Sequence, residues 1–257
     1  MVKAIFFDID GTLVSFETHR MPESTRRALD TLRGKGILLF VATGRHVTEV
    51  RNLGEWKPDG LVTLNGAYCT LNGEVIYKKA IDPGDVSSLV GRLQEGPFHP
   101  FIFVAENGMW FNNPDERVLR MLRMVGLSLP EKASLDELYG MEIFQMMGFF
   151  EEKDEAEAMK YLPGCHATRW TSSFADIIPR GTDKWHGIGK ILERFGIARE
   201  DTMAFGDGGN DISMLRGAGT GIAMGNAGDD VKAAADYVTT SVDDDGIAKA
   251  LEHFGIL

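Results

Sequence analysis

Apolar residues along this chain follow two different rhythms. Residues 2–7, apart from Lys3, and 37–42 are short apolar runs, the pattern of strands buried on both faces. Between them, residues 23–35 carry Ala28, Leu29 and Leu32 at helical spacing. A helix predicted over 47–53 and a strand over 60–64 continue the series as β-α-β-α-β, which implies a parallel sheet. The C-terminal part repeats the alternation: a helix over 184–195 closed by Gly196, a strand over 202–205, a short helix over 211–216, a strand over 221–224, and helices over 229–235 and 246–254.

The middle of the chain reads differently. Strands predicted over 101–105 and 109–111 flank Asn107-Gly108, a hairpin dipeptide; a strand over 143–150, a charged helix over 152–161 and paired strands over 167–171 and 174–178 follow. Hairpins mixed with helices indicate an α+β unit. Asp82-Pro83-Gly84 and Pro179-Arg180-Gly181 read as linkers at its two ends. The expected fold class is therefore α/β: a Rossmann-like, doubly wound parallel-sheet core formed by residues 1–81 and 180–257, with an α+β domain inserted over 82–179. Both parts are of a size that folds as a unit.

Composition narrows the function. Of 257 residues, 44% are hydrophobic and 25% charged, a globular profile. The formal net charge of −11, with no Lys/Arg block, excludes a general nucleic-acid binder, because that affinity rests on phosphate neutralisation. A small anion is still bindable where a metal and a few local cations supply positive field. Cys69 and Cys165 stand alone without CxxC spacing, so neither a disulfide framework nor a zinc site is expected and a reducing cytoplasm fits. The start, MVKAIFFDIDGT, reads as neither a signal peptide nor a membrane span, and no apolar stretch reaches the roughly 18 residues of a spanning helix.

Candidate chemistry sits at strand ends. Asp8-Ile9-Asp10-Gly11-Thr12 follows the first strand, where parallel sheets bind ligands. Aspartate is a covalent nucleophile for phosphoryl groups, although Asp and Gly after a strand are equally turn chemistry. Gly206-Asp207-Gly208-Gly209-Asn210-Asp211 follows the strand over 202–205. Asp207 is placed to approach Asp8, and two carboxylates with a backbone carbonyl suit Mg²⁺; a glycine turn with Asp211 as helix cap reads as well. Thr43-Gly44-Arg45 after the second strand has a hydroxyl and backbone N–H groups that can hold phosphate, a weak signal in isolation. Lys184 at a helix start is either a solvated lysine or a partner for Asp8 and phosphate.

Taken in order, DxDGT, Thr43, Lys184 and GDGGND resemble the motifs of the haloacid dehalogenase superfamily, in particular its phosphatases. The insert, Asn65-Gly66-Ala67 and Pro179-Arg180-Gly181 resemble the Cof-like branch with its large α+β cap. The branch commonly has Lys-Gly at the helix start, whereas Trp185-His186-Gly187 follows Lys184 here. The resemblance implies that Asp8 attacks phosphorus to form an aspartyl-phosphate and that Asp10 acts as general acid and base. It further implies Mg²⁺ on Asp8, the Asp10 carbonyl and Asp207. Thr43, Gly44 and Lys184 would cradle the phosphoryl oxygens, Asn210 would orient phosphate or Lys184, and Asp211 would support metal and lysine. The cap would close over the core and select the substrate.

The expected activity is hydrolysis of small phosphorylated metabolites, sugar phosphates foremost, with flavin or pyridoxal-type phosphates as further leaving groups. A phosphotransferase or phosphomutase on the same scaffold, or a non-catalytic ligand sensor, are the alternatives. A mutase needs a second phosphate site, and Arg92, Arg117, Arg120, Arg123 and Lys132 form no compact cluster in sequence; a sensor would have lost Asp8, Asp10 or Asp207. His19, His46, His99, His166, His186 and His253 lack metal-ligand spacing, and Met121, Met124, Met141, Met146 and Met147 read as cap core. Trp110, Trp170 and Trp185 read as packing before sugar binding, and Ser15 and Ser172-Ser173 lack a His/Asp partner pattern. The partner implied is a small-molecule substrate, with no membrane; nothing in the sequence sets an oligomeric state.

Overall fold

The computed structural model describes residues 1–124, 130–132 and 134–257. Strand β1 (Ala4–Phe7) is buried at every position, as a strand covered on both faces must be. Helix α1 (Glu23–Gly34) buries Thr25, Ala28, Leu29 and Leu32, and β2 (Leu38–Ala42) and β3 (Gly60–Thr63) follow in parallel. The chain then turns back through β4 (Tyr68–Leu71), antiparallel to β3, and β5 (Glu74–Lys78). Asn72 and Gly73, with φ of 50° and 82°, make the turn between these two strands.

Next come α2 (Pro83–Gln94), β6 (Phe101–Ala105), β7 (Gly108–Phe111), α3 (Glu116–Met124), β8 (Glu131–Lys132), β9 (Ile143–Gly148), α4 (Glu152–Ala158), β10 (Cys165–Thr171) and β11 (Phe174–Pro179). The remainder is α5 (Lys184–Phe195), β12 (Thr202–Gly206), α6 (Ile212–Gly217), β13 (Thr220–Ala223), α7 (Asp229–Lys232), β14 (Tyr237–Val238) and α8 (Gly246–His253). Two sheets result: an eight-stranded one ordered β14-β13-β12-β1-β2-β3-β4-β5, and a six-stranded one ordered β10-β11-β9-β6-β7-β8. From β14 to β3 the first sheet is parallel, as in doubly wound folds.

The chain divides into two compact units, Met1–Tyr77 with Asp183–Leu257, and Lys78–Thr182. In the first, successive strand residues go to opposite sides of the sheet. Ile5, Phe7, Leu39 and Val41 pack with Leu29 of α1 and Ile247 of α8, and Ala4, Phe6, Phe40 and Ala42 pack with Ile188 of α5 and Met214 of α6. In the second, one cluster joins α2 residues such as Leu89 to Phe101, Phe103 and Ile177 of the antiparallel sheet. Lys78, the first residue of this unit, pairs its ammonium with Glu106 and Glu142, at 3.1 and 2.7 Å.

Several local expectations change. Residues 47–53 make a single 3₁₀ turn, Val47–Glu49, instead of a helix. The β-branched Val47, Thr48 and Val50 are poor helix formers, His46 caps the turn, and Leu53 and Trp56 pack into the core cluster beyond it. Asp82-Pro83-Gly84 is a helix start, not a linker: Pro83 takes the first helical position and the Asp82 carboxylate accepts from Gly84 N at 2.7 Å. Met121, Met146 and Met147 are buried, but Met124 is exposed. The side chain of Trp170 lies outside the described residues. Among the described residues no helix is long and apolar enough to cross a membrane.

Replacing Asp82 by Ala removes the α2 cap and is expected to cost about 1 kcal/mol. Urea unfolding followed by circular dichroism reads this, and an unchanged midpoint would show that the cap does not stabilise the insert.

Candidate active site

The loops that leave β1, β2, β3 and β12 converge at the carboxyl edge of the parallel sheet. After β1 the chain cannot continue straight: Gly11 takes φ +83°, and a Cβ there would lie 2.2 Å from Asp207 Oδ2. Backbone bonds from Gly11 N to Val14 O and from Val14 N to Ile9 O, both 2.8 Å, lock the turn. Asp8 N donates to Phe205 O of β12 at 3.0 Å, so the Asp8 and Asp207 loops start from one register.

Lys184 lies between two carboxylates. Its ammonium donates to Asp8 Oδ1 and Asp211 Oδ1, each at 2.6 Å, and Lys184 and Asp211 are both 0% exposed. It reaches them because Asp183 caps α5, its carboxylate accepting from His186 N at 2.7 Å. The other oxygen of Asp211 accepts from Asp207 N and Gly208 N, at 2.9 and 2.8 Å, which fixes the GDGGND loop. Burial opposes the Lys184 charge, but the charges of Asp211 and Asp8 overrule it and push its pKa up.

Asp8, Asp207 and Asp211 bring carboxylate oxygens within 4.8 Å of one another, a group able to hold a metal ion. Both Asp211 oxygens are engaged, Oδ1 by the Lys184 ammonium and Oδ2 by two backbone N–H groups. Among the described residues, Asp8 Oδ2 has no protein hydrogen bond and the Asp10 carbonyl meets no protein donor. Asp207 is held at both oxygens, by Thr12 Oγ1 at 2.8 Å and Asn226 Nδ2 at 3.0 Å. Burial raises the Asp8 carboxyl to about 7, with Lys184 pulling the other way and Asp211 and Asp10 adding repulsion. Burial, then Asp8 and Asp211, raise Asp207 well above the carboxylate range. Negative charge in excess of one ammonium, on hard oxygens, fits a divalent cation such as Mg²⁺.

The Asp10 side chain is not in that group. It forms a fork-to-fork pair with Arg45, Nε to Oδ2 and Nη2 to Oδ1, both 2.6 Å, with the two side chains 9% and 19% exposed. Burial works against the Arg45 charge and the Asp10 bonds and charge overcome it. Thr43 is buried, its Oγ1 accepting from Arg45 N at 3.1 Å, which leaves the hydroxyl hydrogen to donate. Gly44 lies between these two residues. Asn210 does not bond Lys184; its Nδ2 donates to Asn65 Oδ1 at 2.9 Å.

This arrangement, a carboxylate with one oxygen held by lysine and one open, beside a metal-competent acidic group and a hydroxyl loop, suits displacement at phosphorus. The sequence model of haloacid dehalogenase-like hydrolases matches residues 5–251. The chain belongs to that family. It is similar to a solved subclass IIB sugar phosphatase of the family, with 46% identity over all of both chains and a TM-score of 0.93. A second solved structure, also 46% identical over all of both chains, with a TM-score of 0.95, represents a phosphoryl-transfer superfamily with a conserved trigonal-bipyramidal intermediate. YkrA of Bacillus subtilis (strain 168), a candidate phosphatase, is 37% identical over 99% of this chain and 98% of its own length.

The family's four sequence motifs therefore sit together here, and three further contributors escaped sequence reasoning. Arg45 carries no signal of its own within Thr43-Gly44-Arg45. Asn226, after β13, joins Gly11 O at 2.9 Å to Asp207 and accepts from Val242 N at 3.0 Å. Asn65 entered only as part of a family-like tripeptide; its contact with Asn210 joins residues from opposite ends of the chain. An asparagine following Gly225 at a strand end was the one available signal for Asn226.

Two outcomes follow from the charge balance. A carboxyl raised to about 7 is protonated below that pH and must lose the proton to bind a cation. Mg²⁺ affinity should therefore fall as pH drops below 7, with proton release on binding; calorimetry at pH 6 and 8 that gave equal affinities would contradict this. Lys184→Met, which strands two buried carboxylates, is expected to cost about 3–5 kcal/mol in metal-free protein, read by chemical denaturation.

Proposed function

We propose that this chain is a Mg²⁺-dependent phosphomonoesterase of small phosphorylated metabolites, sugar phosphates foremost, working through an aspartyl-phosphate. The observation that carries the proposal is the divided role of Asp8: Oδ1 is held by Lys184, and Oδ2 is open toward the site. Oδ2 attacks phosphorus as the bond to the leaving oxygen breaks, and the oxygen departs with a proton from Asp10. Asp10 must turn from Arg45 to do so, and it then takes a proton from the water that hydrolyses the acyl phosphate. Thr43, the Gly44 backbone, Lys184 and Asn210 hold the phosphoryl oxygens through both steps.

Asp8, Asp207 and the Asp10 carbonyl would hold the metal, with Asp211 behind them. When bound, Mg²⁺ neutralises the repulsion between a phosphate dianion and the anionic nucleophile. Selection of the leaving group is assigned to the inserted α+β unit. Hexose phosphates come first among substrates because of the similarity to a subclass IIB sugar phosphatase.

Phosphate release from a panel of sugar, flavin and pyridoxal phosphates, with and without Mg²⁺, tests this reading. Metal-dependent release is expected from the wild type and none from Asp8→Asn, while Asp10→Asn keeps its metal affinity and slows by about 10²–10⁴. Turnover by Asp8→Asn near the wild-type rate would sink the nucleophile assignment. Transfer of phosphate to an added sugar in place of water would favour a phosphotransferase.

A further inference from the structure

The end of β3 has an uncommon backbone. Leu64, Asn65 and Gly66 have φ of 51°, 51° and 93°, three left-handed residues in succession, two of them not glycine. All three are buried, so solvent exposure does not account for the shape. Such conformations persist where surrounding contacts over-determine them, commonly at functional sites.

Between them the residues of this turn engage three arms of the phosphate cradle. Leu64 N donates to Arg45 O at 3.2 Å and Asn65 N to Thr43 O at 3.1 Å, which ties the turn to the hydroxyl loop after β2. Asn65 Oδ1 accepts from Asn210 Nδ2 at 2.9 Å, which ties it to the loop after β12. Gly66 lies against the start of α5, where a Cβ would come 2.0 Å from Asp183 O, immediately before Lys184. The Asn210 amide nitrogen carries two hydrogens, and the one given to Asn65 sets the direction of the other.

We propose that Asn65 is a positioning residue that sets the spacing and orientation of Thr43 against Asn210 and Lys184. It touches no phosphoryl oxygen and acts through the groups that do. This rests on the phosphatase reading above. The left-handed turn is the structural means: in it the Asn65 N–H and carboxamide face two loops at once, and asparagine is among the few side chains that accept that region.

The test compares Asn65→Gly, Asn210→Ala and the double variant as Mg²⁺-loaded enzymes. Orthovanadate, a mimic of pentacoordinate phosphorus, is the probe, with kcat and KM for p-nitrophenyl phosphate measured in parallel. Glycine keeps the left-handed turn, so the melting temperature should hold, while vanadate inhibition weakens by about tenfold or more. Asn210→Ala, which also removes a direct phosphate contact, should weaken it at least as much, and the double variant should be no worse than Asn210→Ala alone, because the Asn65 carboxamide acts through Asn210. Asn65→Ser, too short to reach Asn210, gives a second reading of the same loss.

Unchanged vanadate inhibition in Asn65→Gly, or losses that multiply in the double variant, would overturn the proposal while an active wild type left the phosphatase reading intact. A wild type that neither releases phosphate nor binds vanadate would remove both.

Discussion

Everything at this site depends on one buried ammonium between two carboxylates. A lysine with no solvent contact is tolerable only where its charge is matched, and Asp8 and Asp211 match it at 2.6 Å each. Because Asp211 also takes the Asp207 and Gly208 N–H groups, the same contact that charges Lys184 shapes the loop after β12. Asp8 is thereby left with one oxygen held and one open. The cluster remains over-negative, which is why burial and mutual repulsion lift Asp8 and Asp207 out of the usual carboxylate range. A site with that imbalance is built to receive positive charge.

The parallel sheet turns this electrostatic centre into a surface. β1 lies between β12 and β2, so the loops carrying Asp8, Asp207 and Thr43 emerge side by side at one edge. The loop residues then cross-brace one another, Arg45 to Asp10, Asn226 to Gly11 and Asp207, and Asn65 to Thr43 and Asn210. Loops without regular structure acquire definite positions in this way, and groups that must act within tenths of an ångström need that.

What could be read from sequence follows from where each signal originates. β1, β2 and β12 were legible because full burial demands unbroken apolar runs. The end of α5 was legible because Gly196 closes it with φ 62°. Residues 47–53 misled because an apolar spacing that suits a helix equally suits a loop whose Leu53 and Trp56 fill a core. β5 gave little signal because an exposed edge strand needs no apolar alternation, and Asp82-Pro83-Gly84 serves a turn and a helix start alike. Of the site, Asp8, Asp207, Thr43 and Lys184 stand at ends of elements the pattern defines. Arg45, Asn65 and Asn226 matter through partners far along the chain, and nothing local announces a partner.

The strand order also has a consequence for how the molecule is made. β1 pairs with β2 within the first stretch of chain, but its other neighbour is β12, with Ala4 opposite Thr202. While the intervening insert is being synthesised, one edge of a wholly apolar strand lacks its partner. The nascent half-sheet is thus at its most association-prone until β12 emerges, and the insert has a compact core of its own that can form during that interval. Asp8 and Lys184 lie on opposite sides of this gap, so the ion pair at the centre of the site is among the last contacts the growing chain can make.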